Sequence, residues 1–211
     1  MGILPFLLSA ILVRTMEHVL AFDLGLFTIR RREIDALERV DAQFTTHIHF
    51  DHWSARLTRA IHVRTGAPAI VEPQVADRGR LSAAWVTSAV PDETIVVDDM
   101  RITPVTGRHA CPISLFHVVL PELTLFHGGD SGHVPLDHLS ADLAFVPVGG
   151  PAPSCTPRSG AAIVRDLRPK IAVPMHGFAS EKRALERLVW AETPDTRVVI
   201  ARRRVPFVLD L

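Results

Sequence analysis

Apolar residues along this chain come in short runs broken by turn residues, the rhythm of strands rather than of long helices. "AILVRT" and "HVLAFD" precede residue 24, and "AQFTT", "PAIVE", "TIVVDD", "RITPV", "LFHVVL" and "LTLFHG" follow; each predicts a strand. Between them the spacing turns helical over 54–65, where Ser54 offers an N-cap and Gly66 a stop, and again over 157–167. The second half sets that helix between strands "LAFVPVG" and "KIAVPMHG", then adds a helix over 180–190 and strands "RVVIA" and "PFVLDL". Near-continuous apolar strands flanked by helices imply sheets covered on one face by helices and packed on each other by the other face, a layered α/β architecture. No short-period repeat and no low-complexity segment interrupts the pattern. The stretch "PAPSCTP", 151–157, is the most loop-like and reads as an active-site rim or a surface connection.

Composition narrows the class. At 211 residues, 47% of them hydrophobic, the chain can bury a full core as one domain, or as two fused halves of one. Lys plus Arg number 23 and Asp plus Glu 23, so no global field favours nucleic acid or acidic lipid. The expected partner is a small molecule, with no nucleic acid and no membrane, and a homo-oligomer left open. Arg202, Arg203 and Arg204 form the only dense basic run and read as a solvated turn between two strands. Cys111 and Cys155 have no metal-binding spacing and read as buried or incidental thiols. The opening "MGILPFLLSAILVR" is too short to span a bilayer and has no basic residue before Pro5, so it reads as a strand or strand pair feeding the core. A cytoplasmic protein is the expectation.

Candidate chemistry concentrates in "TTHIHFDHWS", which packs His47, His49, Asp51 and His52 into six positions. These four start where the strand "AQFTT" ends, a place where loops carry function on a rigid frame. Alternation puts His47, His49 and Asp51 on one side, while a turning backbone can splay Asp51 and His52 toward a second centre. One loop then reaches two metals roughly 3.5–4 Å apart. Later strands end in further metal-capable groups: His109 after "RITPVTGR", Asp130 after "LTLFHGG", and His176 after "KIAVPM". A random scatter of eleven histidines would seldom place them so. His18, His62 and His117 read as ordinary partly buried imidazoles, His127 as a strand residue, and His133 and His138 as loop residues.

"THIHFDH", the strand-end His109, "GGDSG" at Asp130 and "PMHG" at His176 together resemble the metallo-β-lactamase fold superfamily. "ADLAFVPVGG" and "TPRSGAAIVRDLRPKIAVPMHG" look like the branch that contains L-ascorbate 6-phosphate lactonase. The resemblance runs from about residue 10 to His176. It implies a four-layer αββα sandwich over residues 1–211 as a single domain. It also implies one metal on His47, His49 and His109, a second on Asp51, His52 and His176, and Asp130 bridging both. The N-terminus departs from the branch, whose members open with a strand and a Gly-His-Ser/Ala turn where this chain has "PFLLSA".

Two metals sharing a water lower its pKa from ~15.7 toward ~7, which supplies a nucleophile without a protein side chain. Asp51 and Asp130 are then the candidates to orient that water. A mixed His and carboxylate set suits zinc, manganese or iron alike; zinc is the default by frequency, and manganese is the close alternative that the resemblance to the lactonase branch implies. The expected activity is hydrolysis of a small ester-like substrate, with a lactone ahead of a phosphodiester. The alternatives are a phosphodiesterase or nuclease of the same fold, a di-iron redox protein, and a metal-binding protein without turnover.

Overall fold

A computed structural model describes residues 1–150 and 154–210. Residues 151–153, the start of the loop-like stretch, lie outside the described residues. Two compact units are present, residues 1–90 with 202–210, and residues 91–201.

The first unit opens with the hairpin β1 (Gly2–Pro5) and β2 (Ile11–Arg14), continues antiparallel into β3 (Val19–Phe22), then runs parallel through β4 (Ala42–Thr45), β5 (Ala69–Val71) and β6 (Val86–Ser88). The opening segment is thus the strand pair expected. The parallel crossovers carry α1 (Arg31–Asp35), α2 (Ala55–Thr65) and α3 (Pro73–Arg78). Helix α2 stops where Gly66 adopts φ +79° and donates its N–H to His62 O at 2.7 Å, a left-handed cap that glycine takes without steric cost. Ser54 sits at the N-cap, but its hydroxyl makes no capping bond there; only its carbonyl serves the helix, accepting from Thr58 N. Ile34, Leu57 and Ile61 from the helices pack with Leu12 and Ala21. The alternate strand residues Phe22 and Phe44 are also fully buried and stack at 4.5 Å. Burial on both strand faces is what near-continuous apolar runs demand, each such side chain contributing roughly 1.5–3 kcal/mol.

The second unit repeats the plan. Strands β7 (Ile95–Val97), β8 (Met100–Thr106), β9 (Ser114–Val119) and β10 (Thr124–His127) are antiparallel; β11 (Leu143–Pro147), β12 (Ile171–Met175) and β13 (Arg197–Val198) continue in parallel. Helix α4 (Pro157–Leu167) opens on Thr156, whose hydroxyl accepts Ser159 N–H at 3.0 Å, with Pro157 in the first turn. It buries Ile163, Val164 and Leu167 beside Leu185 and Val189 of α5 (Ala179–Glu192). Strand β14 (Phe207–Val208) then returns to the first unit and pairs with β1, giving that sheet the order β14-β1-β2-β3-β4-β5-β6. Arg204 is a correction to the solvated-turn reading: it is half-buried, with Nε 2.8 Å from Glu33 Oε1. Among the described residues no helix is long and apolar enough to cross a membrane.

Candidate metal centre

Each unit carries its own set of metal-capable side chains at the C-terminal ends of strands, where open α/β sheets bind ligands. In the first unit β4 ends at Thr45, and the chain turns through 46–54 with His52 N–H and Trp53 N–H both donating to His49 O. His47 and His52 are buried, Asp51 is half-buried and His49 is exposed. His47 Nε2 and His49 Nδ1 lie 3.0 Å apart, and His52 Nε2 is 3.6 Å from Asp51 Oδ2.

Asp23, at the end of the adjacent β3, organises this loop. Its Oδ1 accepts Thr46 N–H at 2.8 Å, and its Oδ2 accepts both Thr46 Oγ1–H at 2.8 Å and His52 Nδ1–H at 2.8 Å. Proton accounting then fixes the rings. Because His52 donates from Nδ1, its Nε2 keeps the lone pair. Thr46 has spent its one proton on Asp23, so at 3.0 Å its oxygen accepts Nδ1–H of His47, whose Nε2 likewise keeps a lone pair.

The second unit follows the same logic. His109 lies beyond β8, Asp130 beyond β10 and His176 directly after β12, all on one edge of the sheet because β8 and β10 run in the same direction. Ser154 Oγ donates to Asp130 O at 2.9 Å, so it accepts from His109 Nδ1–H at 3.1 Å, and His109 Nε2 is left with its lone pair. His176 Nδ1–H donates to Gly149 O at 2.8 Å, and its Nε2 lies 3.1 Å from Asp130 Oδ2. His176 itself holds φ +56°, a left-handed conformation that costs a non-glycine residue of order 1–3 kcal/mol and is met at functional sites. The neighbouring Gly150 has to be glycine: an added Cβ would sit 2.8 Å from His176 Nδ1.

In four imidazoles Nδ1 is engaged by a carboxylate, a hydroxyl or a carbonyl, so that the neutral ring presents Nε2, the supporting pattern of metal-ligating histidines. Two ligand atoms ~2.0–2.1 Å from a tetrahedral zinc stand about 3.3 Å apart. The 3.0 Å pair His47/His49 and the 3.1 Å pair Asp130/His176 match such an edge, so the donors fit a divalent ion.

Asp23, Thr46, Ser154 and the Gly149 carbonyl are functional groups that reading the sequence missed. Asp23 had one signal, an acid closing an apolar strand. Cys111 is placed differently from an incidental thiol, with Sγ within 4.8 Å of a His109 ring nitrogen. Cys155 is the buried thiol expected. It donates to Asp130 O at 2.8 Å, and burial together with the nearby Asp130 charge pushes its pKa up to about 12, so it stays protonated. Of the other histidines, His62 Nδ1 meets Ala67 O, His117 Nε2 meets Ser140 O, and His133 Nε2 meets Asp166, each at 2.7–2.9 Å and each a structural contact.

The family described as the beta-lactamase superfamily domain matches residues 16–177. A UPF0173 metal-dependent hydrolase of Pyrobaculum islandicum is 32% identical over 143 residues, 62% of this chain. The match spans about three fifths of that relative's length, 62%. Among solved structures, Igni18, a metallo hydrolase from Ignicoccus hospitalis, is similar at TM-score 0.80 and 18% identity, covering 99% of each chain. The metallo-beta-lactamase fold protein YhfI from Bacillus subtilis is similar at TM-score 0.77 and 14% identity, covering 98% of each. These likenesses show the fold, the four-layer αββα sandwich of the metallo-β-lactamase proteins.

Proposed function

Since this chain belongs to the beta-lactamase superfamily, whose domain spans residues 16–177, we propose that it is a metal-dependent hydrolase whose metal-capable side chains take up a pair of divalent ions. As the resemblance implies, His47, His49 and His109 would hold one ion and Asp51, His52 and His176 the other, with Asp130 available to both. The observation that carries the reading is that Nδ1 of His47, His52, His109 and His176 is in each case engaged by a carboxylate, a hydroxyl or a carbonyl, which in the neutral ring orients Nε2 as the ligand atom. That arrangement has no purpose in a satisfied polar turn.

When bound, the ions supply Lewis-acid chemistry, acidifying a water and polarising the oxygen under attack. Zinc is favoured by the imidazole-rich set, with manganese or iron as the alternatives. Asp51 and Asp130 are the carboxylates available to hold and orient the attacking water through its protons. Asp23, held by its hydrogen bonds, orients His52 without entering the reaction. Cys155, protonated at neutral pH, is no nucleophile.

The preferred substrate is a small ester-like molecule, a lactone before a phosphodiester. The test is metal analysis with a hydrolysis panel of lactones, sugar-phosphate lactones, aryl phosphodiesters, β-lactams and short RNA, run on zinc, manganese and iron forms. About two ions per chain are expected, falling in His49→Ala and Asp51→Ala, with both ions weakened in Asp130→Asn. A folded protein that takes up no zinc or manganese would falsify the centre. Cleavage confined to RNA would overturn the small-molecule reading, and oxygen consumption without hydrolysis would move the protein to the redox class.

A further inference from the structure

Phe50 lies between His49 and Asp51 and exposes 61% of its surface. Phe27 exposes 75%, and the two rings meet edge to face at 6.1 Å and 80°. Leu26, 41% exposed, donates its N–H to Phe50 O at 2.7 Å. Three large apolar side chains therefore stand in solvent on and beside the loop that carries His47, His49, Asp51 and His52.

Their position is enforced. Gly25 backs so closely on the metal loop that an added Cβ would lie 2.3 Å from the Asp51 carbonyl carbon. Thr28, buried, donates its hydroxyl to Gly25 O at 2.7 Å and closes the turn. Between these anchors Phe27 holds φ +67°, a conformation that bulky side chains avoid. Folding gains little from an aromatic pair left in water, and it bears the backbone strain as well. A residue placed for stability would be buried, or would be Gly or Asn at that φ.

We propose that Leu26, Phe27 and Phe50 form an apolar lip that holds an acyl-chain or aryl substituent of the substrate while its reacting group lies at the metals. The proposal rests on the metal-centre reading above and names its substrate class: esters or lactones with an apolar tail, rather than sugar phosphates. Phe50 is the residue between His49 and Asp51, so its ring stands on the same short loop as both.

The test uses the zinc-loaded protein and n-alkyl hydroxamates from acetohydroxamate to octanohydroxamate, with Kd measured by calorimetry. Affinity is expected to rise about two- to fourfold per methylene, between half and full burial of each group. Phe27→Asn and Phe50→Ala should flatten that series. Zinc and acetohydroxamate bound with no dependence on chain length would overturn the lip and spare the centre. Absent zinc binding would overturn the centre, and a second readout then decides the lip. Phe27→Asn, which tolerates the left-handed backbone, should raise the thermal midpoint by roughly 2–4 °C. A lowered midpoint makes Phe27 a structural residue and overturns the proposal. So does concentration-dependent self-association that Phe27→Asn abolishes, since the lip would then cover a second copy of this chain.

Discussion

Asp23 accepts three hydrogen bonds within a fully buried environment, and its own backbone sits at φ +50°, which aspartate tolerates better than most residues. Replacing it by Asn keeps the shape but offers an amide where Thr46 and His52 need an acceptor. Asp23→Asn should lower metal affinity about 10–100-fold through the misdirected His52 ring, the usual cost of losing an outer partner. Competition with a chromophoric chelator measures this; unchanged affinity would remove Asp23 from its orienting role. The contrast with the ligands explains what was legible. His47, His49, Asp51 and His52 declare themselves because their chemistry is crowded into one loop. Asp23 reaches His52 from 29 positions away, and Ser154 reaches His109 from 45, so neither partnership leaves a mark in the local sequence. Tautomers lie further still from the sequence, since they follow from where a threonine and a serine spend single protons.

Elements were legible where an apolar run or a capping residue marked them. The start of α4 follows from Thr156 and Pro157 and the stop of α2 from Gly66, whose local chemistry acts without tertiary help. Strand β6 and helices α1 and α3 span three to six residues each, too few for a period to show, and exist because neighbouring strands and packing hold them. Long-range ties of that kind can be tested at Asp166, in the last turn of α4. Its Oδ2 accepts His133 Nε2–H at 2.7 Å and Leu136 N–H at 3.1 Å, fastening the loop after Asp130 to the helix. Burial alone would raise the Asp166 pKa, but these bonds and the nearby positive charge outweigh it and hold it below the ordinary value. The folded state therefore favours the carboxylate. Its contribution is fully present above the ordinary aspartate range, ~3.9, and fades as pH falls through the lowered value. Asp166→Asn should destabilise by about 1–2 kcal/mol at pH 7, with the unfolding curves of the two proteins converging in acid. A constant gap across pH would show that charge is not what the bond uses.

On the scale of the whole chain, balanced charge leaves room for a local patch. Counting gives 23 against 23, yet Arg31, Arg56, Arg59 and Arg64 gather along one cleft beside α1 and α2, a concentration that folding creates from scattered positions. The return of residues 202–210 to the first unit was equally invisible, because "PFVLDL" announces a strand without naming its neighbour. That return is held by β14 on β1, by Leu209 N–H on Met1 O, and by Arg204, which reaches Glu33 and, through Nη2, the Thr28 carbonyl at 3.2 Å. Arg204→Ala should cost about 1–2 kcal/mol, a charged hydrogen bond discounted for partial exposure, and removal of 202–211 should cost more. Urea unfolding measures both, and equal stability of the truncated and full chains would refute the tie. The same feature sets an order of events at the ribosome. The second unit has all its strands before residue 202 is made, whereas β1 waits with an open edge. At ~5–20 residues per second that edge stays unpaired for on the order of 5–20 s of synthesis. An unpaired strand edge invites other chains, so the nascent protein is most in need of a chaperone while its second unit is already being finished.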